Sequence, residues 1–371
     1  MLGLLEIRRR KLQFGLVGLI VVLITYLVLM VNGLGIGLRE LSGTALRSWD
    51  ADAIVYSDTA NLSIVRSEMG QDSVDRARQA PGVTDSAALG YFSVNVRKLD
   101  GSVSAKAKSA AVIGFDLGTI AQPAVTAGRN LEPGEADAVL ADASFLQALD
   151  LHVGDTVKLG YRLTSSDFRI VGEIDQGSLS FQPTLYTLRS TWQSMRYGAS
   201  TPETPAASIV LLKGKGLAGT SGEGFTIVSK DTAFNSIEGI SAQNSTVNAL
   251  MAFGYIIGAV TIGVFFYVLT LQKVAQVGVL KAVGASTAYV ARQVIVQVMA
   301  VALVGVGIAV PLAFFTNAAL QQLPDRVPIA FTTSAFVTTS TAMVVTALLG
   351  AVFSLREVAK VDPIIALGQQ Q

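Results

Sequence analysis

Residues 12–31 read LQFGLVGLIVVLITYLVLMV, a stretch without any charged side chain near the start of the chain. An α-helix needs about 20 predominantly apolar residues to cross the hydrocarbon core of a bilayer. Three further apolar runs of similar length lie in the last third of the chain, at 247–271, 290–316 and 332–353. The sequence therefore predicts four transmembrane helices, one of them separated from the other three by a long polar region.

The region between the first and second runs has the composition of a water-exposed domain. Mean hydropathy is +0.51 and 15% of the residues are charged, but these averages combine the apolar runs with a region rich in charge, glycine and short alternating segments. Segments such as AIVYS at 53–57 and FRIVGEI at 168–174 are typical of strands, and residues 71–80 favour a helix. We predict a membrane α-helical fold with a large extracytoplasmic α+β domain inserted between the first and second helices.

The boundaries of the predicted segments follow from the apolar runs. The inserted domain is expected at 39–246, with a small β subdomain at about 138–188 where turn signals are dense. The mixed polar and apolar residues 231–249 predict a helix that leads into the second membrane run without a break. The other predicted segments are an N-terminal segment 1–11, transmembrane helices 12–38, 247–271, 290–316 and 332–353, connecting loops 272–289 and 317–331, and a C-terminal tail 354–371.

The distribution of charge predicts the side of the membrane that each segment faces. Residues 39–238 carry 18 Lys and Arg against 23 Asp and Glu, whereas the rest of the chain carries 10 against 4. Cytoplasmic loops are enriched in Lys and Arg, and nine of those ten basic residues precede the first run, follow the second or follow the fourth. We therefore expect both termini and the loop 272–289 in the cytoplasm, and the inserted domain and the loop 317–331 outside.

A cleaved signal peptide is the alternative interpretation of the first run. The basic residues from Arg8 to Lys11 fit that plan. However, the run exceeds the usual ~7–15 apolar residues, and no small-residue cleavage site follows it. We expect a retained membrane anchor.

The sequence offers little for catalysis. It contains no G-x-x-x-x-G-K-[ST] phosphate-binding loop, no cysteine and a single histidine, His152, in a predicted turn without a partner at metal or hydrolase spacing. We expect no catalytic residue, no bound metal, no cofactor and no enzymatic activity in this chain. The energy for any transport would have to come from another protein.

Three short motifs carry a resemblance to a known family. The segment after the second run reads GVLKAVGAS at 278–286, and the segment after the fourth reads AKVDPIIAL at 359–367. In the inserted domain, LDLHVGDTV at 149–157 is a third match, with Asp150 where the family usually has glycine. These motifs resemble the FtsX-like, or MacB-type, permease family of ABC transporters. The length and the helix count are similar to its DevC-like and HrtB-like haem-exporter branch.

The resemblance implies the membrane subunit of an exporter in the cell membrane, a homodimer working with two copies of a separate ATPase that binds ATP and Mg²⁺. Motion would pass from the ATPase to the outer domain by mechanotransmission and expel a hydrophobic substrate. A glycine-containing turn between amphipathic segments also suits the seating of a short helix in a groove of a partner; a simple helical hairpin connection is the alternative. The predicted ATPase-coupling residues are Gly278, Leu280, Lys281, Ala282, Gly284, Ala285, Ser286, Asp362 and Pro363.

Four side chains on the first and second helices are candidates for substrate contact. Tyr26 and Met30, like Met251 and Tyr255, are four residues apart and therefore share a helix face. The resemblance to the haem-exporter branch implies haem as a candidate substrate, bound between two copies of the permease, and both residue types can serve as axial haem ligands. The alternative is structural, since methionine fills gaps in cores and tyrosine is common at the membrane interface.

The sequence is also compatible with two other functions. Division-linked members of the family regulate cell-wall hydrolases through the outer domain and export nothing. A permease for antimicrobial peptides or lipids is the second alternative, although peptide permeases of the family usually have more than four helices. No feature of the sequence predicts a nucleic-acid partner.

Overall fold

The computed structural model describes residues 9–98, 108–161, 164–198, 201, 203–272, 278–279, 283–322 and 327–360. It divides into two compact units, a membrane unit of Met1–Gly37 and Gln243–Gln371 and an inserted unit of Leu38–Ala242. The helices are α1 (Lys11–Ser48), α2 (Gln71–Arg78), α3 (Ala143–Leu149), α4 (Arg189–Tyr197), α5 (Lys230–Asn235), α6 (Ile240–Leu271), α7 (Thr287–Leu320) and α8 (Thr333–Lys360). The strands are β1 (Ala53–Ser57), β2 (Val83–Lys98), β3 (Lys108–Phe115), β4 (Val125–Gly128), β5 (Ala138–Asp142), β6 (Thr156–Tyr161), β7 (Thr164–Ile174), β8 (Ser178–Leu179), β9 (Gln182–Leu188), β10 (Ile209–Gly214), β11 (Ser221–Gly222) and β12 (Phe225–Ser229).

Four helices among the described residues are long and apolar enough to cross a bilayer, namely α1, α6, α7 and α8. A helix suits hydrocarbon because it satisfies its backbone groups internally. Val21, Phe266 and Met343 are almost fully buried among these helices. Small residues let backbones approach, and a Cβ on Gly263 would lie 2.8 Å from the Gly350 carbonyl oxygen. The predicted fold class, four membrane helices with an α+β domain inserted after the first, is confirmed.

Helix α1 continues past the predicted end of the first membrane segment, 12–38. It runs to Ser48, with its helical geometry interrupted at Gly43. The added turns belong to the inserted unit, where Ala45 and Leu46 are almost fully buried. These turns are an amphipathic continuation of the helix beyond the predicted membrane segment, since a helix that buries one face in a domain needs no continuous apolar sequence.

Residues 231–249 do not form the continuous helix that the sequence predicts. Helix α5 ends at Asn235, and α6 begins at Ile240. Gly239, directly before α6, has a φ of +86°. This left-handed conformation interrupts a right-handed helix, and glycine adopts it without the steric cost of a side chain. The second membrane helix therefore starts from a break, which corrects the prediction.

The inserted unit is built on one mixed sheet of 12 strands among the described residues. Its order is β11-β12-β1-β10-β2-β3-β9-β5-β7-β4, and β6 pairs with both β2 and β7. The strands β2, β3, β9, β5, β7 and β6 therefore close into a barrel. The predicted subdomain 138–188 is not separate, because β2 and β3, which precede it in sequence, complete this barrel.

The barrel encloses a buried apolar cluster into which α4 inserts Trp192. This side chain is fully buried. Two strand glycines make room for it: a Cβ on Gly90 would lie 2.0 Å from the Trp192 ring, and a Cβ on Gly114 would lie 2.4 Å from the Trp192 Cβ. The other members of the cluster are Phe92, Val94, Val96, Ala110, Val112, Val139, Ala141, Phe145, Leu146, Leu151, Val157, Leu159, Phe168, Ile170 and Leu185.

We predict that Gly90→Ala lowers the free energy of unfolding of the inserted unit by about 1–3 kcal/mol, the usual cost of overpacking a core. Gly160→Ala is the matched control, because a Cβ there makes only an ordinary contact, 3.5 Å from the Asn95 carbonyl oxygen. Guanidinium unfolding of the full chain, followed by tryptophan fluorescence, measures the effect. Both tryptophans, Trp49 and Trp192, lie in this unit. Equal unfolding midpoints for the two variants would contradict the packing account.

Candidate functional site

The predicted coupling segment forms a tight turn at the start of α7. The Val283 amide donates to the Val279 carbonyl oxygen at 3.0 Å, one helical turn back. Gly284 then takes a φ of +102°, a region that favours glycine. Ser286 caps α7, because its hydroxyl accepts from the Tyr289 amide at 3.2 Å. The sequence VGAS thus contains the turn that leads into α7.

The turn presents an apolar tip to its surroundings. The Val283 side chain is 85% exposed, and a Cβ on Gly284 would meet no atom within 4 Å. An exposed apolar side chain on a short capped turn is suited to insertion into a groove of a partner protein. Gly278 and Ala285 belong to the same segment. The predicted coupling residues that lie outside the described residues are Leu280, Lys281, Ala282, Asp362 and Pro363.

The first predicted substrate pair lies against α7. The Tyr26 hydroxyl donates to the Thr316 hydroxyl oxygen at 3.2 Å. Tyr26 and Met30 pack on a buried cluster that includes Ala309 and Ala313, and both side chains are half-buried. The Tyr26 hydroxyl is therefore held by α7. Both side chains remain partly accessible to a ligand.

The second predicted pair lies on α6. Tyr255 is half-buried and packs on a buried cluster that includes Phe266 and Met343. Met251 lies one turn before Tyr255 and is also half-buried. The Asn32 amide of α1 donates to the Thr339 hydroxyl of α8 at 2.8 Å. Within one chain, Tyr255 therefore packs on a different buried cluster from Tyr26 and Met30.

Sequence reasoning missed an aromatic group beside the first pair. The ring centroids of Phe314 and Phe336 are 4.6 Å apart, and those of Phe331 and Phe336 are 4.8 Å apart. Phe331 and Phe336 pack on the same cluster as Tyr26 and Met30. Together these residues form an aromatic surface suited to a flat apolar molecule. The sequence signal for this group is the presence of phenylalanine at both ends of the predicted loop 317–331.

A loop of the membrane unit lies directly on α1. The Ala330 amide donates to the Gly33 carbonyl oxygen at 3.0 Å. A Cβ on Gly37 would lie 2.0 Å from the Pro328 carbonyl oxygen. Because backbone cannot move aside as a flexible side chain can, this contact requires glycine at position 37. The segment before α8 is therefore fixed to α1.

The last turns of α1 are fixed within the inserted unit by hydrogen bonds. The Ser180 amide donates to the Ser42 carbonyl oxygen at 2.8 Å, and the Trp49 indole donates to the Tyr186 hydroxyl at 3.0 Å. Burial raises the pKa of the Tyr186 hydroxyl, which stays protonated. The Lys230 ammonium group donates to the Trp49 carbonyl oxygen, and partial burial lowers the Lys230 pKa.

The interruption of α1 coincides with its closest packing in this unit. A Cβ on Gly43 would lie 2.6 Å from Ile237 and 2.7 Å from the Phe234 ring. The Arg47 guanidinium lies 3.9 Å from the centroid of the same ring, in cation–π geometry. The end of α1 is therefore part of the core of the inserted unit.

The described residues hold no group of three His, Asp or Glu placed to bind a metal. His152 is exposed, and its backbone amide donates to the Asp155 carboxylate at 2.9 Å. The buried Asp142 carboxylate accepts from the amides of Gln176 at 2.9 Å and Gly177 at 2.6 Å. Such hydrogen bonds satisfy a buried carboxylate. Both acidic groups therefore have structural roles.

Residues 240–363 match the FtsX-like permease C-terminal family. The chain is also 23% identical over 364 residues to the putative hemin transport system permease protein HrtB of Staphylococcus haemolyticus (strain JCSC1435), with coverage of 98% of this chain and 97% of the relative. An uncharacterized ABC transporter permease of Mycobacterium tuberculosis (strain ATCC 25618 / H37Rv) is 25% identical over 352 residues, or 93% of each chain.

Among solved structures, the periplasmic region of MacB from Actinobacillus actinomycetemcomitans covers 52% of this chain and 94% of that structure, with 16% identity and a TM-score of 0.35. The sequence matches show that the chain contains an FtsX-like permease domain and is homologous to ABC transporter permeases over nearly its whole length. The family resemblance that the motifs indicate is confirmed.

We predict that Ser286→Ala destabilises the first turn of α7 by about 1 kcal/mol, because it removes the N-cap. Hydrogen exchange of the amides that follow Ser286 should then be about fivefold faster, measured by mass spectrometry on the full chain. Ser286→Thr keeps a capping hydroxyl and is the matched control. Equal exchange in all three proteins would show that the cap does not hold this turn.

Proposed function

We propose that this ABC transporter permease is the membrane subunit of an exporter that expels a hydrophobic substrate from the membrane. Two copies of the chain would work with two copies of a separate ATPase, which supplies the energy of ATP and binds its Mg²⁺. The observation that carries the proposal is the homology to a hemin transport permease across 98% of the chain. The absence of a phosphate-binding loop from the full sequence agrees with an ATPase on another chain.

The turn at Gly284 is the proposed contact with the ATPase. Its exposed valine, its capped geometry and its place inside the matched permease domain support this role. The basic residues near both termini and after α6 support a cytoplasmic position for these segments by the positive-inside rule. The inserted unit is then extracytoplasmic, and the proposed coupling residues whose side chains are not described act beside this turn.

Helix α1 is the proposed transmission element. It begins in the membrane unit, and its last turns form part of the core of the inserted unit. Movement of its membrane portion would therefore be carried into the inserted unit by a hydrogen-bonded helix. This route requires no water-filled channel through the bundle, which fits the scarcity of charged residues in the four membrane runs.

The proposed substrate is a flat hydrophobic molecule of the haem class. The name of the Staphylococcus haemolyticus relative supports this choice, as does the aromatic group that adjoins Tyr26 and Met30. Met251 and Tyr255 complete the proposed set. In this proposal, a site using all four side chains forms where two copies meet. Tyrosine and methionine would then supply the axial contacts.

We predict that Val283→Asp abolishes substrate-stimulated ATPase activity of the reconstituted complex. A charge at this position would have to be desolvated on docking, which costs several kcal/mol when no partner compensates it. The exposed Val283 contributes little to folding, so membrane insertion should be unchanged. Val65→Asp, at a 43% exposed valine of the inserted unit, is the control. Normal stimulation with Val283→Asp would refute the coupling assignment.

We predict that haem added to the purified permease shifts its Soret band. Tyr26→Phe and Met30→Ala should each raise the haem Kd about tenfold, which corresponds to the loss of one contact of about 1.4 kcal/mol. Tyr267→Phe, at another membrane tyrosine, is the matched control. A Soret titration that is identical in all variants would exclude these ligands. A wild-type protein without any Soret shift would exclude haem and leave the exporter assignment in place.

A further inference from the structure

A groove of about 650 Å³ runs between α1 and α7 in the membrane unit. Its walls are apolar, except at one end, where Lys11 contributes to the lining. Neither predicted substrate pair lines it. The lining residues are Lys11, Phe14, Gly15, Gly18, Leu19, Val22, Ala300, Val301, Val304 and Ile308.

Two glycines of α1 create the space in this groove. A Cβ on Gly15 or Gly18 would meet no heavy atom within 4 Å. Elsewhere the same two helices are in close contact, since a Cβ on Gly305 would lie 2.5 Å from the Val21 side chain. The helices therefore pack tightly at Val21 and Gly305 and leave an opening at Gly15 and Gly18.

The groove has the length of an acyl chain. From Lys11 to Val22, α1 rises about 16 Å, close to half of the ~30 Å hydrocarbon thickness and hence one leaflet. An acyl chain of one leaflet can therefore lie along the groove.

The charged end of the groove favours an anionic headgroup. Arg9 and Arg10 immediately precede Lys11, and Arg292 lies near the start of α7. Arg10 donates to two neutral side chains, those of Gln13 at 3.2 Å and Gln272 at 3.1 Å. Within the described residues, none of these four cations forms an ion pair. Basic pockets between membrane helices bind acidic lipid headgroups.

We infer that this groove is a binding site for an anionic phospholipid. One acyl chain lies along Gly15 and Gly18, between α1 and α7. The phosphate lies at Lys11, near the neighbouring arginines. The bound lipid fills the opening between the two helices. This role does not depend on which substrate the permease exports.

Native mass spectrometry of the full chain tests the inference. The detergent-solubilised protein is titrated with phosphatidylglycerol and with phosphatidylcholine of identical acyl chains. Wild type should retain one phosphatidylglycerol per chain in preference to phosphatidylcholine. Lys11→Gln should reduce this preference about fivefold, the value of one basic contact of about 1 kcal/mol near a lipid surface. Gly18→Leu should remove retention of both lipids, because its side chain fills the groove.

Two matched variants control the experiment. Gly307→Leu adds the same side chain at another membrane glycine with open space and outside the groove lining. Lys215→Gln removes an exposed lysine of the inserted unit. Both should retain phosphatidylglycerol like wild type, and Gly15→Leu provides a second blocking variant should Gly18→Leu not insert. Unchanged lipid retention by inserted Gly18→Leu and Gly15→Leu proteins would overturn the inference, as would equal retention of the two lipids by wild type.

Two further outcomes would assign the groove to another occupant. If Gly18→Leu converts a dimer to a monomer while its lipid count stays the same, the groove receives a second copy of the chain. If added haem displaces phosphatidylglycerol one for one and Gly18→Leu abolishes haem binding, the groove is a substrate site. Either result would refute the lipid assignment.

Discussion

The backbone of a membrane-crossing segment must satisfy its own hydrogen bonds, and the course of α1 depends on this constraint. It makes α1 a helix within the bilayer, and the helix continues into the inserted unit. There its last turns lie in the core, held through the Ser42 carbonyl oxygen and packed at Gly43 against Phe234. In the proposed mechanism, a helix whose last turns are packed in the core of the inserted unit transmits force better than a flexible linker would. The proposed export mechanism depends on this single element.

Local sequence patterns predicted the membrane part of the fold well, because each apolar run specifies its own helix. These patterns were less informative where contacts between residues far apart in sequence determine the structure. Beyond residue 38, α1 contains charged side chains, and its local pattern does not reveal which face the inserted unit covers. The barrel closes through the pairing of β6 with β2, which lies far from it in sequence, whereas β6 and β7 are consecutive strands. The break before α6 rests on Gly239, whose positive φ is invisible to a periodicity argument.

The candidate sites likewise combine features that local sequence predicts with features that depend on tertiary packing. The turn at Gly284 and Ser286 was predictable, because a helix-ending glycine followed by a capping serine is a local signal. The common helix face of Tyr26 and Met30 follows from their spacing, but the choice of α7 as their neighbour depends on tertiary packing. Phe336 and the aromatic group around it belong to separate elements that meet only in the folded bundle. Their combination could not be inferred from a single stretch of sequence.

The central claim is that α1 carries motion from the ATPase side of the membrane to the inserted unit. The chain contains no cysteine, so a single Asp72→Cys substitution places one spin label on an exposed site of the inserted unit. Electron–electron double resonance then measures the distance between the spin labels of the two copies in the complex with the ATPase. The account predicts that trapping ATP shifts this distance, and that a short glycine insertion after Gly37 removes the shift while ATP still binds. An equal shift with and without the insertion would contradict it.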